Sequence, residues 1–210
     1  QEELSRRVRT VDGLDVEGIS FIAGGDARYA HPRKTPTQGV ACFAVCRFPT
    51  MEIVETVIAR GTVWSPYIPT FLAFRELPLL LKAYRKITRR VDVFLLDGQG
   101  IAHPRGLGLA SHFGVVTGEV AIGCAKSWLC GEFREPEKKA GAASSLYRGH
   151  ERIGAVVRPL TGRHVLFVSP GHRLSVDASL QVVRKCLCGH RLPEPLWIAH
   201  SLLADIDLEG

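Results

Sequence analysis

Two stretches of this chain, residues 18–26 and 91–97, are almost wholly apolar, and each ends on an aspartate, Asp26 and Asp97. The first reads as a strand whose far end carries a carboxylate. The second, Val91-Asp92-Val93-Phe94-Leu95-Leu96-Asp97, has the pattern of a central strand covered on both faces. Adjacent strand ends would bring the two acids together. Carboxylates a few ångströms apart repel and lose hydration unless a divalent cation sits between them. Glu76, at the start of a long helical pattern, can add a third oxygen, and oxygen-rich ligation favours Mg²⁺ or Mn²⁺ over Zn²⁺. The alternative is that each acid forms a turn or a helix start satisfied by backbone N–H groups.

The remaining patterns predict an α/β fold. Residues 39–48 and 53–63 are β-rich and follow the first strand through short links, which predicts an antiparallel meander. Trp64-Ser65-Pro66-Tyr67-Ile68-Pro69 makes a stiff loop, and Leu77, Leu80, Leu81, Tyr84 and Ile87 then recur at helical spacing over residues 74–87, with Pro78 in the first turn. A second helix over 107–116 and a buried strand over 120–125 complete a strand–helix alternation that implies parallel crossovers. Residues 134–145 read as a polar surface excursion, 153–159 and 165–169 as a late hairpin, and 176–188 as a helix supported by Val176, Leu180, Val183 and Leu187. These pieces fit a mixed sheet, three antiparallel strands continuing into parallel ones, flanked by helices. With 210 residues the chain reads as one domain, preceded by a charged extension over about residues 1–17.

Composition narrows the class. With 46% hydrophobic and 23% charged residues the chain is neither disordered nor fibrous. No window approaches the ~18–20 apolar residues of a bilayer helix, and the first dozen residues are too charged for a signal peptide, so a cytoplasmic, monomeric protein without a membrane partner is expected. Twenty-seven basic against 21 acidic residues give a formal net charge of +6, and an anionic partner is favoured. Cys42, Cys46, Cys124, Cys130, Cys186 and Cys188 contain no C-x-x-C, which argues for buried thiols in a reducing compartment rather than zinc.

The loop Asp97-Gly98-Gln99-Gly100-Ile101-Ala102-His103-Pro104-Arg105 offers close backbone approach at its glycines. His103 is placed there as an acid, a base or an orienting group near a phosphate, or else as a solvent-facing side chain of a tight turn. A dinucleotide site is disfavoured because G-x-G-x-x-G is absent.

In combination, Gly24-Gly25-Asp26, Pro66-Tyr67-Ile68-Pro69, Phe71-Leu72-Ala73-Phe74-Arg75-Glu76, the Asp97–Arg105 loop, Gly123-Cys124-Ala125-Lys126, Val168-Ser169-Pro170-Gly171-His172 and Arg191-Leu192-Pro193-Glu194-Pro195 resemble endonuclease V from about residue 18 to His200. The resemblance implies an RNase H-like fold and a Mg²⁺-dependent nuclease that recognises deoxyinosine in DNA. Such an enzyme cuts the second phosphodiester bond 3′ to the lesion and leaves 3′-hydroxyl and 5′-phosphate ends. By matching motifs, Asp26, Glu76 and Asp97 become metal-site residues, and His103, Lys126 and His200 join them in the active site. Pro66, Tyr67, Ile68 and Pro69 match a wedge, with Tyr67 filling the space of a flipped base or, alternatively, pinning the loop to the core. Leu72, Gly98, Gly108, Leu109, Gly123, Ala125 and Leu129 match a base pocket whose main-chain groups distinguish the donor and acceptor pattern of hypoxanthine from that of adenine. Arg75, Arg105, His172 and Arg173, with Lys138 and Lys139, are candidates for a phosphate track and equally for surface charges.

Two departures from the family pattern stand out. Thr70 replaces a common Gly, and its β-branched side chain resists positive φ, which predicts a reshaped wedge loop. Leu196-Trp197 replaces a polar pair, so a phosphate contact is lost and Trp197 packs or stacks instead. Rival readings are an inosine-specific endoribonuclease, a lesion-binding protein that does not cut, and a nuclease without inosine preference.

Overall fold

The computed structural model describes residues 1–11, 14–66, 68 and 70–208. After a single helical turn, α1 (Glu2–Ser5), the meander forms as β1 (Phe21–Tyr29), β2 (Thr37–Arg47) and β3 (Ile53–Val63), paired antiparallel in sequence. Helix α2 (Leu72–Tyr84) leads to β4 (Val93–Leu96), and α3 (Leu109–Thr117) leads to β5 (Ala121–Ala125); β1, β4 and β5 are mutually parallel neighbours. The chain continues through β6 (Glu132–Phe133), β7 (Ala143–Arg148), β8 (Glu151–Val157) and β9 (Leu166–His172), and ends in α4 (Val176–Lys185) and α5 (Glu194–Ala204). The nine strands form one mixed sheet in the order β3-β2-β1-β4-β5-β9-β8-β7-β6. Only the three central strands are parallel, because β9 returns antiparallel to β5 and carries an antiparallel flank of its own.

Both faces of the central strands are apolar for a visible reason. In β2, Ala41, Phe43 and Val45 pack towards α2 and α3 with Leu77, Leu80 and Phe113, whereas Val40, Cys42 and Ala44 pack with Ala199 and Leu203 of α5. Strand β4 divides likewise, with Phe94 and Leu96 on the first side and Val93 and Leu95 on the other, beside Val182 and Leu196. Alternation of two fully buried faces is what the near-continuous apolar runs encode.

Several boundaries differ from expectation. Helix α2 begins at Leu72, so Pro78 lies beyond the first turn, inside the helix. Helix α4 stops at Lys185 and buries Ala178, Ser179, Val182 and Val183, while Leu180 and Leu187 pack half-buried against the same core. The excursion over 134–145 already contains the start of β7. Helix α5 is an element not anticipated from the sequence; Pro193 and Pro195 occupy its N-cap and first turn, where proline fits. Of the six free cysteines, Cys42, Cys46, Cys124 and Cys186 are buried and Cys188 is exposed. No helix among the described residues is long and apolar enough to cross a membrane.

Candidate active site

The sheet delivers two acids to one end of its parallel centre. Asp97 directly follows β4, and its N–H donates to the Gly25 carbonyl at 3.2 Å. Asp26 comes one residue after the last β1–β4 pair, Gly25 with Leu96, but it does not end its strand: β1 runs on to Tyr29 against β2. Lys126, directly after β5, places Nζ 2.5 Å from Asp97 Oδ2. His200 on α5 places Nδ1 2.8 Å from Asp26 Oδ2.

Helix α5 is held there by alternate residues on one face of β1. Gly24 meets its start: a Cβ at this position would lie 2.2 Å from the carbonyl carbon of Pro195. Asp26 meets His200, and Arg28 Nη1 donates to the carbonyls of Leu203, Ala204 and Ile206 at the helix end. The period of two in Gly24, Asp26 and Arg28 was the available sequence signal for this packing.

One donor atom each from Asp26, Asp97 and His200 lies within 4.8 Å of the others, the one such group among the described residues. Glu76 on α2 lies outside this tight group yet lines the same cleft, with Asp26, Asp97, Lys126 and His200. Burial, with repulsion from Asp26 and Asp97, pushes the Glu76 carboxyl up to about 8. Asp97 is raised by burial and by Asp26, against the pull of Lys126 and His200. His200 is raised chiefly by its bond to Asp26. Buried carboxylates held together at this electrostatic cost, with hard oxygen donors and one imidazole, suit a divalent cation.

Beside the acidic cleft lies a cavity of about 320 Å³ lined by Leu72, Gly98, Gly108, Leu109, Ala125 and Leu129, six of the seven expected pocket residues. Gly123 is the exception. It lies behind the wall, where a Cβ would strike Gly100 N at 2.3 Å and Gly98 O at 2.6 Å, so its hydrogen lets the 98–100 loop rest on β5. Thr70, Gln99 and Ser127 also line the cavity, and sequence reasoning missed them. Leu72, Asp97 and Lys126 line both cavity and cleft, so the two share a wall.

His103 is buried in the cavity wall. Its Nδ1 accepts from the Arg105 N–H at 3.2 Å, which leaves Nε2 to donate to the Thr70 carbonyl at 3.0 Å. Burial lowers its pKa, so the ring is a neutral brace rather than a solvent-facing turn residue. Arg105 also braces this loop. It donates through Nε to Gln1 Oε1 and through Nη2 to Thr70 Oγ1 at 2.6 Å, and its guanidinium lies 4.3 Å over the Phe71 ring. Thr70 adopts a positive φ of 66°, the conformation its β-branched side chain resists, and bonds from Gln1, His103 and Arg105 hold it there.

Arg75 is no phosphate contact. It is buried, donates to the carbonyls of Ser65 and Lys34, and stacks over Tyr29, which ties down the leading root of the 64–71 loop. His172 and Arg173 emerge at the far pole, because β9 runs against β5 and pairs His172 with Ala121 at the start of that strand. They bind Arg9 and Gly118 there. Lys138 and Lys139 are exposed and line neither cavity nor cleft. Pro66 and Ile68 are exposed, while Tyr67 and Pro69 lie outside the described residues. Trp197, expected to pack or stack where the family has a polar residue, stacks on His190 at 4.5 Å.

A mixed sheet whose neighbouring parallel strands carry carboxylates to one end, beside a helix-borne histidine, places the chain among the RNase H-like folds. The endonuclease V family model matches residues 2–201, and the chain belongs to that family. It is 40% identical to endonuclease V of Dehalococcoides mccartyi over 206 residues, 98% of this chain and 90% of that one. Among solved structures, Bacillus subtilis endonuclease V superposes with a TM-score of 0.90 at 32% identity, covering 96% of this chain and 86% of that one. Endonuclease V of Ciona intestinalis, solved with a 24mer DNA containing an inosine followed by a ribo-adenosine, gives a TM-score of 0.83 at 26% identity over 97% of this chain and 93% of that one.

Proposed function

We propose that this chain is a Mg²⁺-dependent repair endonuclease for deoxyinosine that hydrolyses the second phosphodiester bond 3′ to the lesion, leaving 3′-hydroxyl and 5′-phosphate ends. The observation that carries this reading is the shared wall: Leu72, Asp97 and Lys126 face a base-sized cavity on one side and the acidic cleft on the other. A purine turned into the cavity brings its own backbone to the acids.

Asp26, Glu76 and Asp97 would hold the cation, with His200 alongside. When bound, Mg²⁺ (or Mn²⁺) polarises the phosphate and activates water. Lys126 offsets the charge of Asp97 and stands ready for a phosphate oxygen. His200 holds a proton at the Asp26 hydrogen bond, where it can orient water or protonate a departing oxygen. His103 and Arg105 fix Thr70 at the cavity rim. Tyr67 remains the wedge residue of this reading. Exposed main-chain groups of the cavity would read O6 and N1–H of hypoxanthine, which a purely apolar pocket cannot do.

The test is incubation with matched oligonucleotides containing deoxyinosine, inosine in RNA, or no lesion, with Mg²⁺ or chelator, alongside Asp97→Ala. Metal-dependent cutting confined to inosine substrates and lost in the variant supports the reading. Binding without product under any cation, or equal cutting of undamaged strands, overturns it. A second reading, cleavage of inosine-containing RNA, is favoured by the ribonucleotide that follows inosine in the Ciona complex. Faster cutting of the RNA arm would select it.

A further inference from the structure

Beyond the cavity and the acidic cleft, the segment after β5 carries a feature with no assigned role. Trp128 is 58% exposed, although it is the largest kind of apolar side chain. Its neighbours in sequence, Ser127 and Leu129, line the base cavity, and Lys126 lines both cavity and cleft. An exposed indole beside a nucleic-acid site differs from a scattered surface apolar residue if its ring is held in place. Here it is held. Trp128 Nε1 donates to the Gly131 carbonyl at 3.0 Å, closing a short loop at a residue with a positive φ of 87°. The backbone beneath is pinned as well: Gln99 Nε2 donates to the Ser127 carbonyl at 3.0 Å, and Lys126 is bonded to Asp97. With its only polar atom satisfied, the ring presents apolar faces whose ordering cost has already been met.

We propose that Trp128 is a stacking platform for an unpaired nucleobase next to the one held in the cavity. This proposal rests on the nucleic-acid reading given above. Extruding one base unstacks its neighbours, and an aromatic face on the segment that lines the cavity replaces the stacking they lose. Stacking tolerates any base, so the platform would add affinity without sequence preference. It would also keep the strand aligned so that the linkage to be cut lies over Lys126 and the acids.

The test couples protein and substrate changes. Binding of a labelled single-stranded deoxyinosine 12-mer is measured with Ca²⁺ in place of Mg²⁺, for the parent, Trp128→Ala and Trp128→Phe. The same 12-mer is then used with an abasic spacer at each of the two positions flanking the inosine on either side. Stacking predicts that Trp128→Ala weakens binding by about 5- to 150-fold, that Phe restores most of it, and that the loss disappears for the oligonucleotide lacking the stacked base. An Ala variant that binds as the parent does, or a loss that persists with every abasic substrate, overturns the proposal. If the parent itself fails to prefer inosine over a control strand, the underlying functional reading fails instead, so the two failures are distinct.

Discussion

Alanine at position 24 would carry a Cβ 2.2 Å from the carbonyl carbon of Pro195, 2.3 Å from its oxygen and 2.4 Å from the amide nitrogen of Leu196. All three are backbone atoms of α5, so no side chain can swing away. Comfortable non-bonded separation is about 3.5 Å, and α5 must therefore retreat from β1 by roughly 1 Å. That motion loosens Leu196, Ala199 and Leu203, all of them buried. Overpacking typically costs about 1–3 kcal/mol, and with this loosening a loss of about 3 kcal/mol is expected for Gly24→Ala, or a fall in Tm of roughly 6–12 °C. The same retreat stretches the 2.8 Å bond between His200 and Asp26 beyond hydrogen-bond range. Because that bond is the main reason His200 is raised, its titration should move back towards the ordinary imidazole range. Urea unfolding and the NMR titration of the His200 ring in the metal-free protein read the two effects separately. A variant that unfolds within about 0.5 kcal/mol of the parent and keeps a raised His200 would refute the packing argument.

Glu76 is raised from 4.5 to about 8, so its own contribution to the stability of the metal-free protein is whole below the lower value and is lost as pH climbs through the higher one, by roughly 3–5 kcal/mol. Glu76→Gln should flatten that slope and saturating Mg²⁺ should reduce it, as read from denaturant midpoints at pH 5 and 9; a slope unchanged by the substitution would contradict the burial of Glu76. Arg75→Met, which leaves the carbonyls of Ser65 and Lys34 unpaired, should cost about 2 kcal/mol of stability without changing the salt slope of nucleic-acid binding, whereas a phosphate contact would lower that slope by about one. Thr70→Asn, better suited to positive φ, should gain about 0.5–1 kcal/mol, and Thr70→Val, which forfeits the bond to Arg105, should lose about 1–2 kcal/mol in the same unfolding assay.

The parts of the fold that depend on local apolar patterning were legible. The meander, β4 and β5 follow from their runs, and the convergence of Asp26 with Asp97 follows from two strands that must be neighbours. Features set by chain direction or long-range bonds were not. His172 and Arg173 read equally as phosphate contacts and as surface charges, and local pattern could not decide because it is the antiparallel run of β9 against β5 that carries them to the opposite pole. Arg75 looked like surface charge, since a guanidinium satisfied by two distant carbonyls and a tyrosine face leaves no local pattern. Thr70 looked incompatible with a left-handed turn because its compensation comes from Gln1, His103 and Arg105, remote in sequence. Six of the seven residues expected at a base pocket line the cavity, and Gly123 supports its wall from behind.

The account turns on a cation seated between strands β1 and β4. Crystals grown with Mn²⁺ and an inosine oligonucleotide, with data collected at the manganese absorption edge, test it directly. The prediction is an anomalous peak at coordination distance, about 2.1–2.2 Å, from carboxylate oxygens of both Asp26 and Asp97, with Glu76 turned towards it and the purine across the shared wall. A fully occupied nucleic-acid complex with no peak between those two aspartates, or with manganese bound only elsewhere, would contradict it.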